Sequence, residues 1–217
     1  MKVLIVRPQP GADETAARAR AMGLMPIVAP LFTVRARAWT PPDPSRFDAV
    51  LLTSANAARH GGDGMTPFLD LPCYAVGERT AQEARSAGFA EVHTGASDAA
   101  ALLALAEQDG AKSLLHLCGE DHVDLKRVTS LPVYAADSSG ALPPDVEQAL
   151  VLLHSPRAAA RFAVLTGNRR GAIRIAAISA ETAAVAGAGW RSVDIAAAPR
   201  DQALLELAAK LCQTERA

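Results

Sequence analysis

Aromatic residues are scarce in this sequence: they make up 4% of 217 residues, with two Trp and two Tyr. Half of the residues are nonetheless hydrophobic. Ala dominates that half, which favours helices packed closely on a sheet. Cysteine is nearly as rare. Cys73, Cys118 and Cys212 are odd in number and widely scattered, which argues against a disulfide framework and for free thiols in a reducing compartment. No stretch is apolar enough, for long enough, to span a bilayer. The short apolar run Met1–Val6 is cut off by Arg7-Pro8, too early for a secretion signal. The expectation is a cytoplasmic protein with no membrane partner. A net charge of −1 gives no global pull toward nucleic acid, so an acidic ligand has to be met by local groups. Also missing are a G-x-G-x-x-G after the first strand, a phosphate-binding G-x-x-x-x-G-K-[ST] and a G-x-S-x-G nucleophile elbow.

What is present is a duplication. Val50-Leu51-Leu52-Thr53-Ser54-Ala55 reads as a buried strand, a polar turn and a helix start. Val151-Leu152-Leu153-His154-Ser155-Pro156 has the same form 101 positions later. Gly88-Phe89 and Gly189-Trp190 keep the same spacing, and residues 97–102 parallel residues 198–204. Val3–Arg7 pairs less closely with Leu114–Cys118, where the second copy has lost most of its helix. Continuous apolar runs at 2–6, 47–52, 73–76, 113–117, 151–153 and 173–178 predict strands covered on both faces, the parallel kind. Shorter strands are expected at 91–94, 131–134 and 192–195. Residues 26–31 form another, which 32–39 continue. Helices are expected at 14–22, capped by Asp13 or a neighbour, from about 55, from 77 to 88, and at 98–108 behind a Ser97 cap. Further helices follow from about 156 to 165, from 179 to 189 and from 199 to 212. Pro-rich stretches at 40–44 and 138–144 mark linkers. The fold class is α/β: two similar lobes, each a parallel sheet flanked by helices.

Four turns between an apolar strand and a helix share one design: Thr53-Ser54-Ala55-Asn56, Gly77-Glu78-Arg79-Thr80, Ser155-Pro156-Arg157 and Ser179-Ala180-Glu181-Thr182. Each offers hydroxyls, free N–H groups and the positive end of a helix dipole. Any one alone reads best as ordinary N-capping. Four at matching places in two lobes point to a shared cleft for carboxylates. Arg7, Arg79 and Arg157 sit at or just past strand ends, where they can pair with acidic groups or simply be solvated. His116, Cys118 and His122 have a metal-like spacing but no convincing fourth ligand, and His116 and Cys118 fit one face of a buried strand. No metal is expected. His154 reads first as a packed histidine, with a base as the minor alternative. Tyr134 is either half-buried packing or a proton donor.

In order, L-L-T-S-A-N-A at 51–57, Y-A-V-G-E-R-T-A at 74–81, L-P-V-Y at 131–134, L-L-H-S-P-R-A-A at 152–159 and I-S-A-E-T-A at 178–183 resemble the uroporphyrinogen-III synthase family. The order and spacing of these short motifs carry the likeness across the whole chain. The resemblance implies lobes that exchange chain: residues 1–35 and 138–217 in one, 36–137 in the other, joined by a two-stranded linker at 32–44 and 131–144. It implies closure of the linear tetrapyrrole hydroxymethylbilane to uroporphyrinogen III with inversion of ring D. Water leaves the hydroxymethyl group, a cationic azafulvene forms, and attack at ring D gives a spiro intermediate that rearranges. No cofactor is implied, and the enzyme would be a monomer. By position Tyr134 matches the tyrosine that assists departure of the hydroxyl. Thr53, Ser54, Thr80, Ser155 and Thr182 match residues lining the cleft. Arg7, Asn56, Gly77, Arg79, Gly119, Arg157 and Ser179 complete the substrate-binding candidates. Ser179 stands where the family usually has Gly, and the segment after Gly119 is shortened. A non-catalytic two-lobe binding protein for a small acidic ligand or tetrapyrrole is the alternative.

Overall fold

The computed structural model describes residues 2–95, 99–122, 124–125 and 127–214. In chain order the elements are β1 (Lys2–Ile5), α1 (Gly11–Ala21), β2 (Met25–Val28), β3 (Phe32–Ala36), β4 (Ala49–Leu52), α2 (Ala55–His60), β5 (Cys73–Val76), α3 (Gly77–Ser86) and β6 (Val92–Gly95). They continue with α4 (Ala99–Gln108), β7 (Leu114–Gly119), β8 (Val128–Ser138), β9 (Ala149–Leu153), α5 (Pro156–Thr166), β10 (Arg174–Ala177), α6 (Ala180–Ala186), β11 (Ser192–Ile195) and α7 (Asp201–Thr214). The expected cap Ser97, and Asp98 after it, lie outside the described residues.

The chain divides into two compact units, Met1–Thr33 with Ser138–Ala217, and Val34–Asp137. The first holds a sheet of order β11-β10-β9-β1-β2, parallel at every pairing. Alternate residues of its strands face opposite ways. Val3, Ile5, Leu150 and Leu152 pack with α1 and α7 residues such as Ala12, Ala16, Leu204 and Ala208. Leu4, Val6, Val151 and Leu153 are also buried, on the side where α5 and α6 contact β9 and β10. Both faces of the central strands β1 and β9 are covered, and that is why the sequence shows continuous apolar runs there; the edge strand β11, Ser192-Val193-Asp194-Ile195, alternates instead.

The second sheet has the order β3-β8-β7-β4-β5-β6, with β8 through β6 parallel. Leu31 bonds to Ser139 and Arg37 to Val133 through their backbones. One number rises as the other falls, so β3 runs antiparallel to β8. One face packs Val50, Leu52, Leu115 and Leu117 with Ala57, Phe68 and Ala84. The other packs Leu51, Tyr74 and Leu114 with Leu102 and Ala106 of α4.

Three expectations need correction. Residues 26–39 are not one strand: the chain breaks at Ala29–Leu31, and β2 and β3 go to different sheets. Pro30 and the polar alternation of β3 account for the break. Helix α1 starts at Gly11 behind Pro10, with no side-chain cap, so Asp13 lies within its first turn. The Pro-rich 40–44 stretch lies inside the second unit; its prolines shape a loop that leads into a 3-10 turn capped by Asp43.

Candidate functional site

After the edge strand β3, the chain lays down β4 and moves to β5 and β6 on one side. It then returns to place β7 and β8 on the other side. The strand order therefore reverses between β4 and β7, and the carboxyl ends of strands at such a point leave a crevice for ligands. A cavity of about 530 Å³ lies there. Its walls include Thr53 and Ser54 beyond β4, Gly119 ending β7, and Tyr134 on β8. Ala99 and Ala100, in the first turn of α4, also line it.

Tyr134 is placed by its neighbour. A register irregularity after Cys118 sets Gly119 opposite Tyr134. A Cβ on Gly119 would stand 2.7 Å from the ring's Cζ and 2.9 Å from its hydroxyl oxygen. Only glycine lets the ring lie there. The Glu120 N–H donates to the Tyr134 carbonyl at 2.9 Å, and the His60 ring is 6.4 Å away, centroid to centroid.

His116 is a site residue that sequence reasoning set aside. It is 2% exposed and lines the same cavity. Its Nε2 is 2.9 Å from the Thr53 hydroxyl oxygen and its Nδ1 is 3.2 Å from that of Ser130. Burial, helped by the nearby His122, pushes its pKa down to about 4, so the ring is neutral at pH 7. His122 also lines the cavity; its Nδ1 is 3.0 Å from the Gly119 carbonyl oxygen and its ring stands edge-on to His116 at 6.1 Å. The H-x-C-x3-H spacing gathers two rings against hydroxyls and a carbonyl. No trio of metal-ligating side chains assembles among the described residues. The signal for His116 was available in the sequence: a polar residue inside an apolar strand requires partners.

The remaining candidates fall elsewhere. Ser54 caps α2 by accepting the Asn56 N–H at 3.2 Å, which leaves its own O–H free to donate. Gly77 opens α3 at φ +73°, a left-handed conformation that favours glycine. That turn has no side-chain cap, so it does not share the design of the others. Thr80 is buried, and neither it nor Arg79 is in the cavity wall.

Arg7, Ser155, Arg157, Ser179 and Thr182 belong to the first unit. Ser155 caps α5 through the Ala158 N–H, and Ser179 caps α6 through the Thr182 N–H, each at 3.2 Å. The Arg157 guanidinium lies over the Phe32 ring at 4.5 Å. Arg7 donates to Thr15 at 3.3 Å and reaches Asp201 at 3.5 Å. Asp201 also accepts from Thr15 at 2.7 Å, from His154 Nε2 at 2.8 Å and from Arg18 at 2.8 Å. Burial works to raise the Asp201 carboxyl, but the bonds from His154, Thr15 and Arg18 outweigh it and hold the carboxyl well below the usual range. His154 sits in the repeat where the second unit has Thr53. The first unit's switch point, between β9 and β1, thus carries an ion-pair network, whereas the second unit's carries the cavity.

The fold and the cavity define a two-unit α/β protein whose second unit holds a cavity lined by hydroxyls and a tyrosine at the switch point of its sheet. A family model for uroporphyrinogen-III synthase HemD matches residues 13–206. The solved uroporphyrinogen-III synthetase of Helicobacter pylori is 20% identical, with a TM-score of 0.67 over 97% of this chain and 99% of that one. A mutant uroporphyrinogen III synthase of Thermus thermophilus is 15% identical, with a TM-score of 0.57 over 99% of each chain. At these identities the two structures speak for the fold. No curated sequence matches this chain. The chain belongs to the uroporphyrinogen-III synthase family. It is a cofactor-free lyase of porphyrin biosynthesis, which cyclises hydroxymethylbilane. That assignment goes against the non-catalytic alternative.

Proposed function

We propose that the second unit's cavity holds the reacting end of hydroxymethylbilane and that Tyr134 is its general acid. The observation carrying this reading is the phenol packed on Gly119 in a cavity that it shares with the hydroxyls of Thr53 and Ser54. The phenol gives its proton to the hydroxymethyl oxygen, the C–O bond breaks, and water leaves an azafulvene cation. Attack by ring D through the carbon that carries its bridge to the neighbouring pyrrole gives a spiro intermediate. That bridge breaks and re-forms at ring D's free α-carbon, which closes the macrocycle with ring D inverted, and the proton lost from that carbon restores the phenol. Hydroxymethylbilane closes unaided to the type I isomer, so the enzyme must control the folding of the chain more than supply a nucleophile.

Thr53 and Ser54 anchor substrate carboxylates, supported by the positive ends of the helix dipoles of α2 and α4. Arg7, Asn56, Gly77, Arg79, Thr80, Gly119, Ser155, Arg157, Ser179 and Thr182 are the further substrate-contacting candidates. Gly119 acts by making room for Tyr134, and the bonds of Arg7 to Thr15 and Asp201 give it a structural share. The enzyme works as a cytoplasmic monomer, with no nucleic-acid or membrane partner, and its two units act as lobes exchanging chain. Replacing Tyr134 by Phe tests the acid: kcat should fall about 100-fold, the low end for a lost general acid, with an unchanged thermal melt. A Tyr134→Phe enzyme with wild-type kcat removes Tyr134 from the mechanism.

A further inference from the structure

Two hydroxyls and an imidazole form a chain with a direction: Thr53 and His116 line this cavity, and Ser130 meets the ring from β8. His116 lies in β7 between β4 and β8, in register with Leu51 on one side and Ser130 on the other. Ser130 therefore meets Nδ1 from the adjacent strand, and Thr53, two residues beyond Leu51, meets Nε2. A neutral imidazole has one donor and one acceptor nitrogen. If Nδ1 carries the proton, Thr53 must spend its O–H on Nε2 and shows the cavity only lone pairs. If Nε2 carries it, His116 donates to Thr53, and the threonine proton is free to point at a ligand. The proton on Nε2 in turn requires Ser130 to donate to Nδ1.

We infer that His116 is a positioning residue that fixes Thr53 as a hydrogen-bond donor toward a substrate carboxylate, through the ordered chain Ser130 O–H to Nδ1 and Nε2–H to Thr53 Oγ1. This inference rests on the function proposed above and names the direction of one of its anchors. The cavity favours the donor form. The first turn of α4, a ten-residue helix, forms part of its wall and brings the positive end of the helix dipole. An acceptor-only Thr53 would face the same anion with lone pairs. Asp121, the one carboxylate in the wall among the described residues, is exposed. The low pKa of His116 keeps a second proton off the ring, so it stays a link with one donor and one acceptor through the neutral range.

The direct test is the ring's tautomer in the wild-type protein, read from nitrogen-15 shifts and long-range proton–nitrogen couplings of labelled histidine. Nε2–H is expected; Nδ1–H as the dominant form overturns the inference whatever the kinetics show. Ser130→Ala, at a half-buried surface position, should shift the ring toward Nδ1–H and raise KM with little change in kcat. Thr53→Val should raise KM about tenfold, as for a lost hydrogen bond to a charged group. His116→Phe should match it, and the double variant should be no worse than either single, because both remove one interaction. His116→Gln, which keeps a donor, should recover part of the loss. Additive effects, or changes confined to kcat, contradict the inference. Wild-type enzyme making no type III isomer would sink the proposed function instead, and the tautomer would still decide the direction of the chain.

Discussion

Asp201 ties the start of α7 to β1, α1 and the end of β9 through Arg7, Thr15, Arg18 and His154. Its folded pKa is held below the ordinary value. The linked stability is therefore complete above about pH 4, the unfolded aspartate value, and is lost as the pH falls further through the folded one. Asp201→Asn should destabilise the protein by about 1–3 kcal/mol at pH 7 in urea unfolding, the range for losing hydrogen bonds to a charged group. His116 has the opposite chemistry. Burial lowers its folded pKa to about 4, so the unfolded chain binds a proton that the folded one refuses. Stability is complete above about pH 6.5 and declines toward pH 4 by at most about 1.4 kcal/mol per pH unit for this histidine. Burial pushes His154 in the same direction, against its bond to Asp201. His116→Gln should flatten the slope in that window, and an unchanged slope would place the proton uptake elsewhere. At this scale the sequence was legible in part. The serine caps at 54, 155 and 179 followed from N-cap chemistry. The bonds of Arg7 did not, because the acceptor Asp201 lies 194 positions away.

At the scale of elements, the first turn of α4 decides whether the second unit's crevice is open. The matching turn of α7 carries Asp201, which reaches the residue after β9. The turn of α4 carries Ala99 and Ala100, whose methyl groups line the cavity. Ala100→Leu should therefore fill space rather than break packing. Turnover should fall at least about tenfold while the melting temperature shifts only a few degrees, as expected for an exposed helix position. Deeper in the same helix, Leu102 is fully buried against Leu51 and Leu114. Leu102→Ala should cost about 2–5 kcal/mol through lost burial and a cavity. Helix positions were legible because turn residues and apolar runs bracket them. The irregularity at Cys118/Gly119 was not: a register shift leaves no periodic trace, and Gly119 declares its purpose only once the Tyr134 ring is seen over it.

At the scale of the molecule, two sheets of one design have come to different uses. Counting β4 to β8 as one to five, the second sheet reads five-four-one-two-three. Counting β9, β10, β11, β1 and β2 gives the same order. The 101-residue repeat exposed the strands and most of the helices of that duplication. Composition, charge and apolar runs bounded the fold class before any motif was read. Which of the two switch points stays open was beyond the sequence, because Thr53 and His154 are both plausible polar ends for a strand. Only the partners, Ala99 and Ala100 against Asp201, separate them. One assay reads directly whether this chain directs ring closure with inversion. Freshly prepared hydroxymethylbilane is supplied to the protein, and the uroporphyrin isomers are resolved after oxidation. Type III in excess, formed faster than spontaneous closure, is the expected result; type I alone at the spontaneous rate would contradict an enzyme that inverts ring D.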